Sequence, residues 1–131
     1  MTKILKRGDL LYPDLCYQIV GILFEVWKNL GSGHKEKFYG KAAAREFKIK
    51  GLKFQEQLPA KINYKKENLG IYYFDFLIED KIVLETKVKN FFSKKDIDQL
   101  YSYLKVKGLQ LGIVAHFTNT GVKFKRVVNI F

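Results

Sequence analysis

Apolar residues in the N-terminal part of the chain recur at helical spacing. They lie three or four positions apart, which is the period of one face of an α-helix; they are Leu15, Ile19, Ile22, Leu23, Val26 and Leu30. Pro13 precedes them, and the first helical turn tolerates the fixed φ and missing N–H of proline. Glycine at position 31 can cap a helix in the left-handed conformation. The pattern predicts a helix over residues 13–30 and a second one over about 35–50, ended by Gly51.

The period changes to that of β-structure after residue 53. Residues 53–64 contain alternating and β-branched positions, which predicts a strand that is interrupted near Pro59. Residues 71–78 form an aromatic and apolar run. A tight polar turn, Glu79-Asp80-Lys81, separates this run from a further strand that opens with Ile82-Val83-Leu84. We therefore expect these two strands to form a β-hairpin.

The C-terminal part returns once to helical spacing and then ends in strands. Ile97, Leu100 and Leu104 form an apolar stripe that predicts a helix over residues 94–107. Two closing strands follow, over residues 110–117 and 122–130. The order helix, helix, three strands, helix, two strands predicts an α/β fold with a mixed central β-sheet flanked by helices. The length and the lack of repeats or linkers predict that residues 1–131 form a single domain.

The charge balance indicates an anionic partner. The chain has 24 Lys and Arg residues against 13 Asp and Glu residues, a formal net charge of +11. Such an excess attracts polyanions such as nucleic acid. From Tyr101 onwards the charged residues are all basic: Lys105, Lys107, Lys123, Lys125 and Arg126. A lysine-rich surface without a specific partner is the alternative interpretation.

Several protein classes are not favoured by the sequence. No run approaches the roughly 18–20 apolar residues that span a bilayer. The chain also has no apolar stretch before Asp9, so no secretory signal or membrane partner is expected. Cys16, the one cysteine, excludes an internal disulfide and a multi-cysteine zinc site, and we expect it to be buried as a small hydrophobe. A cytoplasmic location is consistent with these features.

Two carboxylates and a lysine are the best candidates for chemistry. Asp75 lies inside an apolar run, and Glu85 follows three apolar strand residues. Residue 80, the midpoint of the turn, is five positions from each, so hairpin pairing places the two side by side. Lys87 projects from the same strand face as Glu85. Neighbouring carboxylates repel, and a hard divalent cation relieves that repulsion.

Oxygen-only ligation favours Mg²⁺ or Mn²⁺ as this cation. A lysine beside the metal can help to activate a water molecule, or can stabilise negative charge that develops on a phosphate. The alternative is that Asp75 and Glu85 form ordinary ion pairs with Lys87 and another lysine.

The pattern resembles the PD-(D/E)XK nuclease superfamily, and more closely the small GxxExxY proteins within it. The motif of that group stands here as Gly33-His34-Lys35-Glu36-Lys37-Phe38-Tyr39. The resemblance covers residues 11–129 and implies a restriction-endonuclease-like fold. It implies a divalent metal site that uses Asp75 and Glu85, with Lys87 catalytic.

The same resemblance implies roles for further residues. Glu36 would be an additional acid and metal ligand from an early helix, although a carboxylate in a first helical turn is also favoured by the helix dipole alone. Gln99 and Tyr103 resemble the Q-x-x-x-Y element of RecB-type exonucleases, and helical geometry places them on one face, away from the apolar stripe. The expected nucleic-acid contacts are Tyr39, Gln99, Tyr103, Lys105, Lys123, Lys125 and Arg126.

These features favour a Mg²⁺- or Mn²⁺-dependent nuclease that hydrolyses DNA phosphodiester bonds. One alternative is a catalytically silent nucleic-acid-binding module on the same fold. Another is an interaction domain whose basic face meets an acidic protein. The sequence leaves open whether the substrate is DNA or RNA, whether cleavage is internal or terminal, and whether the protein forms a homodimer or joins a larger assembly.

Overall fold

The computed structural model describes residues 11–130, and this part of the chain contains three helices and five strands. The helices are α1 (Pro13–Leu30), α2 (Glu36–Ile49) and α3 (Lys94–Lys107). The strands are β1 (Phe54–Tyr64), β2 (Glu67–Ile78), β3 (Ile82–Val88), β4 (Leu111–Phe117) and β5 (Val122–Val128). The predicted order of elements is confirmed.

The strands form a mixed sheet in the order β1-β2-β3-β4-β5. The pairs β1–β2, β2–β3 and β4–β5 are antiparallel, while β3 and β4 are parallel. Parallel neighbours need a crossover connection, and α3 provides it between β3 and β4. The α/β class and the mixed central sheet predicted from the sequence are therefore confirmed.

Two hydrophobic clusters hold helices against the two faces of the sheet. On one face α1 and α2 pack on alternate residues of β3 and β4 such as Ile82, Leu84 and Ile113, and buried Cys16 belongs to this cluster as expected. On the other face α3 packs on Val83 and Val114. Within residues 11–130, none of the helices combines the length and apolarity that crossing a bilayer demands.

The β1–β2 hairpin was not predicted. Its turn places Lys65 and Lys66 at φ 47° and 70°, a conformation that sequences usually signal with Asn or Gly. As a result β2 begins at Glu67, earlier than the predicted residue 71. The predicted interruption of β1 near Pro59 is also displaced, because Pro59 pairs with Tyr73 and the ladder breaks at Gln57 instead. Proline is tolerated there because β1 is an edge strand.

The distal part of this hairpin extends beyond the rest of the sheet. Beside β2, the third strand is paired only from Phe76 to Ile78. Residues 61–71 are all exposed. We call residues 58–74 the β-arm. The arm begins directly after the break in the ladder, and Asp75 lies at that break opposite Gln57.

Candidate active site

The β2–β3 hairpin places Asp75 beside Glu85. Its ladder pairs Ile78 with Ile82 and Phe76 with Leu84, so the next positions in the same register are Asp75 and Glu85. At these positions the backbone ladder has ended, and hydrogen bonds between side chains and backbone connect the two strands instead. Glu85 Oε1 accepts a hydrogen bond from the Asp75 N–H at 3.1 Å, and Asp75 Oδ2 accepts one from the Thr86 N–H at 2.7 Å. The two carboxylates thus lie where β2 and β3 separate, as the predicted pairing requires.

The turn that sets this register is anchored by Lys53. Glu79 and Asp80 adopt φ values of 54° and 57°, which are uncommon for residues with a side chain. The Lys53 N–H donates to Glu79 Oε2 at 2.6 Å, and Lys53 Nζ lies 2.7 Å from Asp80 Oδ2. These contacts offset the local strain and keep the hairpin in register.

Glu85 is the most strongly perturbed acid of the site. It is only 4% exposed. Burial, and secondly the negative charge of Asp75, raise the pKa of Glu85 to about 8. Two ionised carboxylates are therefore unfavourable here unless a proton or a cation compensates them. This is the electrostatic property expected of a cation-binding pair.

Lys87 lies at the open side of the carboxylate pair. Its Nζ is 3.6 Å from Glu85 Oε2, and its side chain is 20% exposed. Burial alone would lower the pKa of Lys87, but the negative charge of Glu85 and weaker contributions from Tyr72 and Asp96 outweigh it, so that its pKa lies above the ordinary value. The ammonium group is therefore a permanent cation at neutral pH.

Thr86, Tyr72 and Asp96 complete the surroundings of the pair, and the sequence analysis missed all three. Thr86 Oγ1 donates to Asp75 Oδ2 at 3.0 Å and fixes the orientation of that carboxylate. Burial raises the pKa of Tyr72, while the nearby Lys87 lowers it. A threonine or a tyrosine in a strand gives no sequence signal for such a role.

Asp96 could have been found from the sequence. Its N–H donates to the hydroxyl of Ser93, the N-cap of α3, at 3.2 Å, so that Ser93 and Asp96 form the S-x-x-D pattern of a helix start. Its carboxylate, which is 8% exposed, accepts from Lys89 Nζ at 2.9 Å. Burial alone would raise the pKa of Asp96, but the hydrogen bonds from Lys89 and Ser93 lower it overall.

Glu36 lies near the pair but does not complete a three-acid metal site. It is the first residue of α2, and its Oε1 accepts from the Val88 N–H at the end of β3, at 3.2 Å. With Asp75 and Thr86 it borders a cavity of about 460 Å³. Within residues 11–130, no three His, Cys, Asp or Glu side chains are grouped closely enough to hold a metal. Glu36 as a third ligand therefore stays a prediction: the backbone of β3 engages one of its carboxylate oxygens, and the residue borders the same cavity as Asp75.

Tyr39 is a core residue and not a nucleic-acid contact. It is 1% exposed, and its ring stacks on Phe117 with centroids 4.4 Å apart. Its hydroxyl donates to the carbonyl oxygen of Gly31 at 2.6 Å and so closes the loop between α1 and α2. The predicted nucleic-acid contact is wrong because α2 turns this side of Tyr39 towards the sheet.

Gln99 and Tyr103 share one face of α3, but that face is not separate from the core. Tyr103 is 8% exposed and packs on Phe74 of the β-arm with centroids 4.7 Å apart. Both residues border a groove of about 670 Å³ between the β-arm and α3, which we call the arm groove. The prediction was incomplete because the β-arm, which supplies the other wall, was not anticipated.

The predicted basic contacts do not form one patch. Lys123 and Lys125 are exposed on β5 and alternate with Val127, which packs under α3, so they lie on the same sheet face as Lys87. Arg126 projects from the opposite face, where its charge influences Cys16. Lys105 lies over the ring of Tyr101 and does not border the arm groove. Because side chains alternate between the two faces of a strand, Arg126 lies on the opposite face from Lys123 and Lys125.

The donor set of the carboxylate pair suits a hard divalent cation. Asp75 and Glu85 offer only oxygen, and Mg²⁺ is typically bound through one or two protein carboxylates, with water and substrate phosphate as its other ligands. Burial and the negative charge of Asp75 raise the pKa of Glu85, so an added cation would favour its ionised form. The residues present therefore fit Mg²⁺ or Mn²⁺ held by two carboxylates.

Solved structures share the fold of this chain. It matches the crystal structure of SSO0001 with a TM-score of 0.53 and 16% identity, over 72% of this chain and 50% of that one. It matches the alkaline exonuclease LHK-Exo from Laribacter hongkongensis with a TM-score of 0.51 and 15% identity, over 72% of this chain and 56% of that one. The chain thus spans about half the length of these two structures, and at such identities the likeness concerns the fold alone.

No curated protein sequence matches the chain. The family model of the PD-(D/E)XK nuclease superfamily, in contrast, matches residues 13–127, nearly the whole chain. Together with the mixed sheet and its flanking helices, this confirms the restriction-endonuclease-like α/β fold that the motifs implied. The chain belongs to the PD-(D/E)XK nuclease superfamily.

Proposed function

We propose that this protein is a divalent-metal-dependent nuclease that hydrolyses DNA phosphodiester bonds at Asp75, Glu85 and Lys87. The observation that carries the proposal is the carboxylate pair itself. Two acids face each other where β2 and β3 separate, one of them almost fully buried, and a lysine ammonium lies 3.6 Å from that one. A purely structural ion pair with Lys87 would not need a second carboxylate beside Glu85, whose burial and proximity to Asp75 raise its pKa to about 8.

Asp75 and Glu85 would hold Mg²⁺ or Mn²⁺, which when bound polarises phosphate oxygens and activates water. Thr86 keeps the Asp75 carboxylate oriented through its N–H and hydroxyl, which both donate to Oδ2, so that Oδ1 would remain available to hold a cation. Lys87, whose pKa is raised, acts as a cation that stabilises the negative charge developing on the phosphate, and not as a general base.

Within the superfamily we place the chain with the small GxxExxY proteins, on the strength of Gly33, Glu36 and Tyr39. In this assignment Tyr39 maintains the loop before α2, and Glu36 supports the end of β3 from the rim of the cavity that Asp75 borders. We further propose that residues 1–131 act as one domain. The net charge of +11 supports DNA as the partner, with Lys123 and Lys125 as backbone contacts on the side of Lys87.

The alternative is a catalytically silent DNA-binding module, which the net charge of +11 would serve equally well. Cleavage of single- and double-stranded DNA with Mg²⁺ or Mn²⁺ decides between the two functions. The nuclease proposal expects metal-dependent cleavage that is lost in Asp75→Ala and Lys87→Ala but retained in Lys28→Ala, which removes an equal charge from the exposed side of α1. DNA binding without cleavage under any of these conditions would establish the silent module.

A further inference from the structure

We propose that the arm groove holds a single-stranded segment of the DNA, with its bases against the aromatic side chains of the groove and its path leading to Lys87. This inference rests on the proposed function, because it assigns the form of the substrate to a surface beside the same site. Four observations carry it: the aromatic lining, the charge of the rim, the continuity with Lys87, and a buried acceptor without a partner.

The groove is lined by aromatic side chains from both of its walls. Tyr72 and Phe74 come from the β-arm, and their rings lie 5.1 Å apart. Tyr103 comes from α3 and lies 4.7 Å from Phe74. Phe74 and Tyr103 are only 2% and 8% exposed and form the apolar floor of a groove of about 670 Å³, and the half-buried Tyr72 offers the ring that is open to a base. Planar bases stack on such rings whatever their sequence.

The charges around the groove select an anion. Lys61 and Lys107 border it, and the turn of the β-arm adds Lys65 and Lys66. Among the described residues that border the groove, Asp98 is the only acid, and Lys94 neutralises it at 2.6 Å. A single strand of nucleic acid combines an anionic backbone with apolar planar groups, and therefore complements both the rim and the lining.

Tyr72 borders the groove and forms a side-chain hydrogen bond with Lys87, so that one residue of the groove contacts the lysine of the site. Glu85 and Lys87 lie on the sheet face that α3 covers, since they alternate in register with Val83. We therefore expect a strand held in the groove to pass Tyr72 towards Lys87.

Gln99 provides a polar contact that a base can satisfy. Its Oε1 is buried beside the groove and, within residues 11–130, accepts no hydrogen bond. The amino or imino N–H groups of an unpaired base are suitable donors for it. In a duplex these groups are paired and the base faces are stacked on one another, so a duplex offers the groove neither contact unless a base is flipped out.

Binding without metal tests the proposal separately from catalysis. A fluorescein-labelled single-stranded oligonucleotide and a blunt duplex of the same sequence are titrated by anisotropy with the wild type, Val106→Glu and Ile49→Glu. Val106 borders the groove, whereas Ile49 lies at the end of α2 on the other sheet face; both are exposed, at 82% and 58%, and both variants change the charge equally. We expect Val106→Glu to weaken single-strand binding about tenfold more than Ile49→Glu, and both to weaken duplex binding equally.

Equal losses in the two variants, or a wild type that binds the duplex as tightly as the single strand, would overturn the proposal. It would also be overturned if polyglutamate displaced the labelled strand as effectively as unlabelled oligonucleotide does, because the groove would then recognise charge alone. Cleavage with Mg²⁺ distinguishes the two proposals. Lys87-dependent cleavage that Val106→Glu leaves unchanged removes the groove assignment and retains the nuclease. Single-strand binding that Val106→Glu weakens, in a protein that does not cleave DNA, would retain the groove assignment and remove the nuclease.

Discussion

The two faces of the sheet use the same strands for different purposes. On the face covered by α1 and α2, strand β3 contributes Ile82 and Leu84 to an apolar cluster. On the face covered by α3, it contributes Val83 and then Glu85 and Lys87. The difference arises because two helices cover the first face, whereas one helix and the open arm groove share the second.

The comparison shows how a small protein tolerates a buried carboxylate. Burying Glu85 beside Asp75 costs free energy, and Lys87 compensates only part of it. The apolar cluster under α1 and α2 supplies the stability that offsets this cost. We therefore expect substitutions on the first face to change stability and substitutions on the second face to change chemistry.

The largest expected effect is on the rate of cleavage, from a change on the face covered by α3. Lys87→Ala removes the cation beside Glu85 and is expected to lower the rate of DNA cleavage by roughly 10²- to 10³-fold, the usual loss when one electrostatic contact to the transition state is removed. Single-turnover cleavage well below the melting temperature measures this. A rate that stays within a few-fold of the wild type would exclude Lys87 from the reaction.

The corresponding change on the face covered by α1 and α2 is Phe47→Ala. Phe47 is fully buried and packs edge-on against Phe76, with centroids 5.2 Å apart. We expect the free energy of unfolding to fall by about 3–5 kcal/mol, as for other buried aromatic truncations. Urea denaturation measures this loss, and the folded fraction should cleave DNA at the wild-type rate. Loss of cleavage in protein that is still folded would contradict the division between the faces.

Binding of a divalent metal to the carboxylate pair is expected to stabilise the folded protein. At 100 times its dissociation constant, Mg²⁺ or Mn²⁺ should add about 2.7 kcal/mol to the free energy of unfolding, because only the folded state holds the carboxylate pair. Asp75→Asn should abolish this gain, whereas Asp80→Asn, in the exposed turn of the same hairpin, should retain it. Calorimetric melting with and without metal measures the difference. An equal gain in both variants would place the cation elsewhere.

Glu85 is expected to make the protein less stable as the pH rises. The folded pKa of about 8 lies above the ordinary value of 4.5, so the folded state binds the extra proton between these values and stability falls as the pH rises through them. We expect a loss of about 3–4 kcal/mol from pH 5 to pH 8 that is absent in Glu85→Gln. Burial lowers the pKa of His116, which acts in the opposite sense, so the difference between wild type and variant is the informative quantity.

The smallest expected effect concerns Tyr39. Tyr39→Phe removes the hydrogen bond to Gly31 but retains the stacking on Phe117, so the free energy of unfolding should fall by about 1 kcal/mol. DNA affinity should not change. A clear loss of affinity at unchanged stability would restore Tyr39 as a nucleic-acid contact.

The sequence was sufficient to predict those features of the site that depend on local geometry. Asp75 and Glu85 are symmetric about a three-residue polar turn, so a period of two and a hairpin were enough to place them together. The environments of Tyr39 and Tyr103 depend on Phe117 and Phe74, which are distant in the chain, and no periodicity reports such contacts. The hydrogen bond that Glu36 accepts from the Val88 N–H was missed for the same reason.

The order of the strands in the sheet has a consequence for folding. Each strand in the described sheet lies beside its neighbour in the sequence, and only the β3–β4 pair requires a long excursion, through α3. Contacts between near neighbours in the chain lower the entropy cost of closing loops and favour rapid folding. The β2–β3 hairpin, which carries the two carboxylates, closes a short loop, residues 79–81. The carboxylate pair of the proposed active site therefore belongs to a part of the molecule that can form early in folding, before α2 packs against the end of β3.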